Sequence, residues 1–231
     1  MKKYKCIFFD LDHTLWDYET NSREALFDLY GAYGLHERGV TAFNDFCAKF
    51  KEVNISLWDQ YDRGLITSDV IRKERFKLIF ESFNIFDDGL CDSISTEYLA
   101  TCPHKSNVMP MAVETLEYLS KSYRLTIITN GFDEIQHLKL AAGKIDHFFD
   151  HLITSQRAGH KKPAREIFDF ALQLNGIVAS EAVMIGDNLI TDIGGARNAN
   201  VDAILFNPEQ LSYDAEISRQ IYALDELRQL L

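Results

Sequence analysis

The chain has 231 residues, 46% of them apolar and 12% aromatic, which is ample for one or two buried cores and excludes a disordered segment. Its formal charge of −11, with no Lys/Arg-rich run to displace counterions, excludes a nucleic acid polymer as partner. No stretch approaches the roughly 18 consecutive apolar residues of a membrane helix, and four scattered cysteines form no CxxC pair, so a soluble cytoplasmic protein with free thiols is expected.

Residues 4–9 (YKCIFF) are short, mostly apolar and rich in β-formers, and they stop abruptly at Asp10. That is the pattern of a strand buried on both faces, with an acid at its carboxyl end. Residues 17–102 then break any strand-and-helix rhythm. Candidate helices at 22–33, 40–61, 68–83 and 89–98 succeed one another with no convincing strand, which reads as an all-helical insert. From residue 103 the alternation begins. Apolar runs at 125–129, 149–154, 182–186 and 203–206 are spaced by amphipathic stretches at 111–120, 133–142, 163–174 and 191–200. This predicts an α/β fold: a Rossmann-like parallel sheet with crossover helices, formed by residues 1–16 and 103–231 around the helical insert 17–102.

Ligands of an open parallel sheet bind beyond the carboxyl ends of its strands. The residues standing there are Asp10, Asp12 and Thr14 after the first run, and Thr129, Asn130 and Gly131 after the second. Lys161, Lys162 and Pro163 lie beyond the third, and Asp187, Asn188 and Asp192 follow the fourth. Four carboxylates in one pocket would repel one another by about 1–4 kcal/mol per close pair at realistic dielectric. A divalent cation removes that penalty, and all-oxygen ligation with room for waters and a phosphate suits Mg²⁺. Lys162 would add a point charge to the phosphate, and the Thr129 hydroxyl and the amides near Asn130 would donate hydrogen bonds.

The two N-terminal acids divide the chemistry. A carboxylate can attack phosphorus to make an acyl phosphate, while the leaving alkoxide needs a proton from a neighbouring acid. Asp10 suits the first task and Asp12 the second, which requires Asp12 to hold a proton more tightly than an ordinary carboxyl. The same residues also admit purely structural readings. An EF-hand loop starting at Asp10 needs Gly at its sixth position and Glu at its twelfth, where Leu15 and Asn21 stand. Lys162-Pro163 also reads as a helix start with Pro in the first turn. Trp16, Tyr18, Trp58, Tyr61 and Phe76 read as core packing ahead of pocket lining.

Taken in order, Phe9-Asp10-Leu11-Asp12-His13-Thr14-Leu15, Ile128-Thr129-Asn130-Gly131, Lys162-Pro163 and Gly186-Asp187-Asn188-Leu189-Ile190-Thr191-Asp192 resemble the four motifs of haloacid dehalogenase-like phosphatases. The resemblance implies Asp10 as nucleophile, Asp12 as acid/base, and Thr129 and Lys162 as catalytic groups on the phosphate. Asn130 and Gly131 would complete the substrate-binding turn. Mg²⁺ would be held by Asp10, Asp187 and the main-chain carbonyl of Asp12, with Asp192 and Asn188 in support, and the insert would be a type 1 cap. The segments 128–132 and 159–168 resemble the bacterial pyrimidine 5′-nucleotidase branch, which implies a small phosphorylated metabolite, a nucleoside monophosphate foremost, as substrate. A monomer or homodimer away from membranes is expected. A sugar-phosphate mutase and a carbon–halogen hydrolase remain as alternatives on the same fold.

Overall fold

Strand β1, Cys6–Phe9, lies at the centre of a six-stranded parallel sheet because all four of its side chains are apolar and fully buried. Side chains alternate between the two faces of a strand, so both faces of β1 must be covered. The computed structural model describes residues 4–213 and 217–231. The other strands are β2 Arg124–Thr129, β3 His151–Thr154, β4 Ala182–Gly186, β5 Asp202–Phe206 and β6 Gln220–Ile221, in the spatial order β3-β2-β1-β4-β5-β6. That is the doubly wound order, in which the chain leaves β1 towards β2 on one side and reaches β4 on the other. The crevice at the tips of β2, β1 and β4 is therefore the place where side chains from distant parts of the sequence meet.

The chain divides into two compact units, Met1–Tyr18 with Ser106–Leu231, and Glu19–Lys105. In the first, helices α5 Ala112–Ser120, α6 Asp133–Ala142, α7 Ser155–Ala158, α8 Arg165–Asn175, α9 Gly195–Asn198 and α10 Leu227–Leu230 accompany the sheet, and the helices that precede them in the chain form the insert. Cys6 and Phe8 pack with Met184, Ile167, Phe168 and Ala171 in one buried cluster, so α8 covers that face. Burying a phenylalanine such as Phe8 contributes about 1.5–3 kcal/mol.

The second unit is helical. It is built from α1 Tyr18–Ala32, α2 Phe43–Asp62, α3 Ser68–Ser82 and α4 Asp88–Thr101. Its interior is aromatic: Phe46 stacks on Phe80 at 6.0 Å, and Phe50 and Phe76 meet Tyr98 at 5.2 and 5.6 Å. Phe76 is thus a core residue of this unit, and Trp16 is fully buried in the other. Arg75 is buried too, its guanidinium lying 5.2 Å from the Tyr98 ring centre and donating to Asn54 Oδ1 at 3.1 Å. The bounds expected from the sequence are 16/17 and 102/103, and the compact units divide after Tyr18 and after Lys105.

Several elements differ from their expected bounds for local reasons. The helix expected from residue 40 starts at Phe43, because the Val40 amide donates to Leu35 O at 2.9 Å and its carbonyl accepts from Tyr30 Oη at 2.6 Å. Pro163 does not stand in the first turn of α8. The Lys162–Pro163 peptide is cis, Ala164 caps the helix and Arg165 opens it. The helix expected at 191–200 begins instead as a π-turn, Leu189–Gly194, before α9. β6, two residues long, escaped a reading based on apolar runs of four or more. No helix among the described residues is long and apolar enough to cross a membrane, and all four cysteines are free.

Candidate active site

The backbone still holds Asp10 as an extension of β1, its amide donating to Ile185 O of β4 at 2.9 Å. Immediately afterwards the chain folds into a tight turn in which Leu11 O accepts from the amides of Leu15 and Trp16, both at 2.9 Å, with His13 at φ 63°. Asp10 therefore points from the strand tip while Asp12 stands on the turn above it. Thr14, fully buried in that turn, donates its hydroxyl to Asp187 Oδ1 at 3.1 Å and so ties the β1 loop to the β4 loop.

Lys162 is the hub of the site. Its side chain is 2% exposed, and Nζ donates to Asp10 Oδ1 at 2.5 Å and Asp192 Oδ1 at 2.6 Å. Its main chain is gripped as well: Lys162 N donates to Asn130 Oδ1 at 2.8 Å, and Asn130 Nδ2 donates back to Lys162 O at 2.9 Å. The Asn130 side chain is thus occupied in fixing the lysine loop to the tip of β2. Asp192 is equally fixed, since its Oδ2 accepts from Asn188 N at 3.0 Å while Asn188 Oδ1 caps the π-turn through Ile190 N and Thr191 N. That turn brings Asp192 against Gly186, where an added methyl group would sit 2.2 Å from Oδ2. Only glycine fits there.

The Thr129 hydroxyl donates to Gln136 Oε1 at 3.1 Å and accepts from Gly131 N at 3.0 Å. Any side chain at Gly131 would run into that Gln136, 2.2 Å away. The Asp12 side chain is held by a residue that the sequence did not single out. Both its oxygens accept from Lys139 Nζ on α6, at 2.6 and 2.7 Å. Gln136 and Lys139 are therefore the two polar partners that sequence reasoning passed over. A signal existed: with Leu140 and Gly143 they follow the i, i+3, i+4, i+7 spacing of a buried stripe, and both are buried in spite of their polarity.

Carboxylate oxygens of Asp10, Asp187 and Asp192 all lie within 4.8 Å of one another. Three formal negative charges thus share one ammonium, leaving the cluster two charges negative. Burial pushes the Asp10 carboxyl up to about 7 against the pull of Lys162, with Asp192 adding to the rise. Burial also raises Asp187 to about 6, helped by the nearby Asp10. Asp192 is raised by burial as well. For Lys162, burial favours the neutral amine, but the Asp10 and Asp192 carboxylates more than reverse it and hold the ammonium charged. Such a donor set, oxygen-only, clustered and short of positive charge, fits a hard divalent cation.

A family model described as haloacid dehalogenase-like hydrolase matches residues 4–200. The chain is 30% identical to the pyrimidine 5′-nucleotidase YjjG of Escherichia coli, over 99% of this chain and 98% of that protein. It is 28% identical to the pyrimidine 5′-nucleotidase PynA of Streptococcus pneumoniae, over 97% and 93% of the two chains. Among solved structures, Bacillus subtilis YfnB bound to magnesium superposes with a TM-score of 0.88 at 25% identity, covering 99% of each chain.

Proposed function

The chain belongs to the haloacid dehalogenase-like hydrolase family, and on that footing we propose that it is a cytoplasmic phosphomonoesterase acting on small phosphorylated metabolites, nucleoside 5′-monophosphates foremost. The observation that carries this reading is the buried Asp10 carboxylate at a strand tip, held by Lys162 at 2.5 Å and clustered with Asp187 and Asp192. The substrate class follows from the two nucleotidases that match nearly the whole chain.

In this reading Asp10 attacks phosphorus, and the phosphorus–ester oxygen bond breaks with its electron pair going to the ester oxygen. Asp12 supplies that oxygen with a proton, and the product alcohol leaves. Asp12 then takes a proton from water, whose oxygen attacks the aspartyl phosphate, restoring Asp10 and releasing inorganic phosphate. Lys162 stabilises the charge on the phosphoryl oxygens from a position that Asp192 and Asn130 fix. Mg²⁺, when bound by Asp10, Asp187 and the Asp12 carbonyl, would supply charge neutralisation for both the carboxylates and the phosphoryl group. We assign the unit Glu19–Lys105 as the cap and the other unit as the catalytic core.

The direct test is phosphate release from a panel of nucleoside monophosphates, sugar phosphates and small acid phosphates. The highest kcat/KM is expected on a pyrimidine nucleoside 5′-monophosphate. A preference for a sugar phosphate would move the substrate class, and no release from any ester would end the phosphatase reading.

Cation binding is expected to depend on pH in a defined direction. In the cation-free site Asp10 and Asp187 are raised to about 7 and about 6, so protons compete with Mg²⁺ below those values. Added Mg²⁺ is expected to raise the melting temperature of EDTA-stripped protein clearly at pH 8 and far less at pH 5.5. An equal rise at both pH values would contradict the assignment of these carboxylates as ligands.

A further inference from the structure

The carboxylate cluster is served by one buried ammonium, and a second stands next to it on α6. Lys139 is 7% exposed in its side chain, and both Asp12 oxygens accept from its Nζ. Lysine is almost never so buried unless paired. Its charge is boxed in on the other sides by aromatic faces, the Trp16 ring centre at 4.6 Å and the Tyr18 ring centre at 5.6 Å. Trp16 is itself immobilised: it is fully buried, and the Leu11 and Trp16 backbones close the turn that carries Asp12. One turn earlier on the same helix Gln136 accepts from Thr129. A single face of α6 thus reaches two strand-tip loops.

We infer that Lys139 is a positioning residue for the reaction: it holds the Asp12 side chain in one seat, apart from the Asp10, Asp187 and Asp192 oxygens. The inference rests on the reading of Asp12 as the acid/base of a phosphatase. Two geometric facts separate it from an incidental ion pair. The contact uses both carboxylate oxygens, which fixes the plane of the group as well as its distance. The two lysines also divide the acids without sharing, Lys162 taking Asp10 and Asp192 and Lys139 taking Asp12. Among the described residues Lys139 is the hydrogen-bond donor that seats the Asp12 side chain, so without it the carboxyl is free to turn away from that seat while Lys162 keeps its hold on Asp10.

The consequence is selective for the leaving group. An alkoxide needs the Asp12 proton as the ester bond breaks, whereas p-nitrophenolate leaves without one. For an aryl ester kcat/KM reports only steps up to that departure, so it is insensitive to where Asp12 sits. In Lys139→Met, kcat/KM on the alkyl phosphate that the wild type hydrolyses best is expected to fall about 100-fold, the size of a general-acid contribution. On p-nitrophenyl phosphate it should fall less than about 5-fold. Lys139→Arg, which can still meet both oxygens, should recover most of the alkyl rate. In an Asp12→Asn background Lys139→Met should cost nothing further on the alkyl ester, because residues acting as one unit are not additive.

Equal losses on the two esters, or none on either, would overturn the role of Lys139, as would full additivity in the double variant. Should Lys139→Met fail to fold, Lys139→Gln puts the same comparison on an uncharged polar side chain that ends short of the Lys139 Nζ position. A wild type inactive on every ester sinks the phosphatase reading itself, whereas an active wild type with unselective variants sinks only the role of Lys139.

Discussion

Asp10→Asn is expected to lower phosphate release by about 10⁴-fold or more, the scale seen when an enzyme loses its nucleophile. The substitution is nearly isosteric, so the backbone bond from residue 10 to Ile185 O and the hydrophobic sheet beneath it should survive. What disappears is the anionic oxygen that lies 2.5 Å from Lys162. Lys162 retains Asp192 as a partner, which limits the structural damage. A second readout separates chemistry from binding: acid quenching of wild-type protein during turnover should trap phosphate covalently on the chain, and the variant should trap none. An Asp10→Asn protein keeping more than about 1% of wild-type turnover would remove Asp10 from the nucleophile's place.

Fully buried parallel strands are continuous apolar runs, and that is why the positions after 9, 129 and 186 could be read as strand tips from the sequence. Doubly wound topology then brings Asp10, Lys162, Asp187 and Asp192 to one crevice through strand order alone. Contacts made by helix side chains were not legible in the same way. Lys139 and Gln136 lie on α6, where periodicity marks a face as buried without saying what it meets, and their partners are 127 and 7 residues away in sequence. The π-turn was hidden for a related reason. Leu189–Gly194 carries an ordinary helix-like pattern, and its wider winding answers a tertiary demand, the return of Asp192 to the Asn188 amide and Lys162. Such turns are frequent at functional sites.

Lys162→Met tests the hub from the side of stability as well as rate. Loss of the ammonium is expected to cut turnover by about 10²–10³-fold, the cost of removing one fixed donor from a developing charge. It should also destabilise the fold by about 3–5 kcal/mol, because breaking a buried pair leaves its carboxylates uncompensated. The sign with pH follows from the direction of the shifts. Asp10, Asp187 and Asp192 all hold protons more tightly folded than unfolded, and Lys162 opposes that rise at each of them. Removing it raises them further, so the folded variant binds more protons than the unfolded chain between the ordinary carboxyl range near 4 and the raised values at and above about 7. Stability contributed by such groups is present at low pH and is lost as pH climbs through that window. Urea melts of cation-free protein should therefore show a deficit in Lys162→Met that is small at pH 5 and large at pH 8. A deficit of the same size at both would mean that the methionine harms packing alone, and that the three acids do not depend on this lysine for their charge.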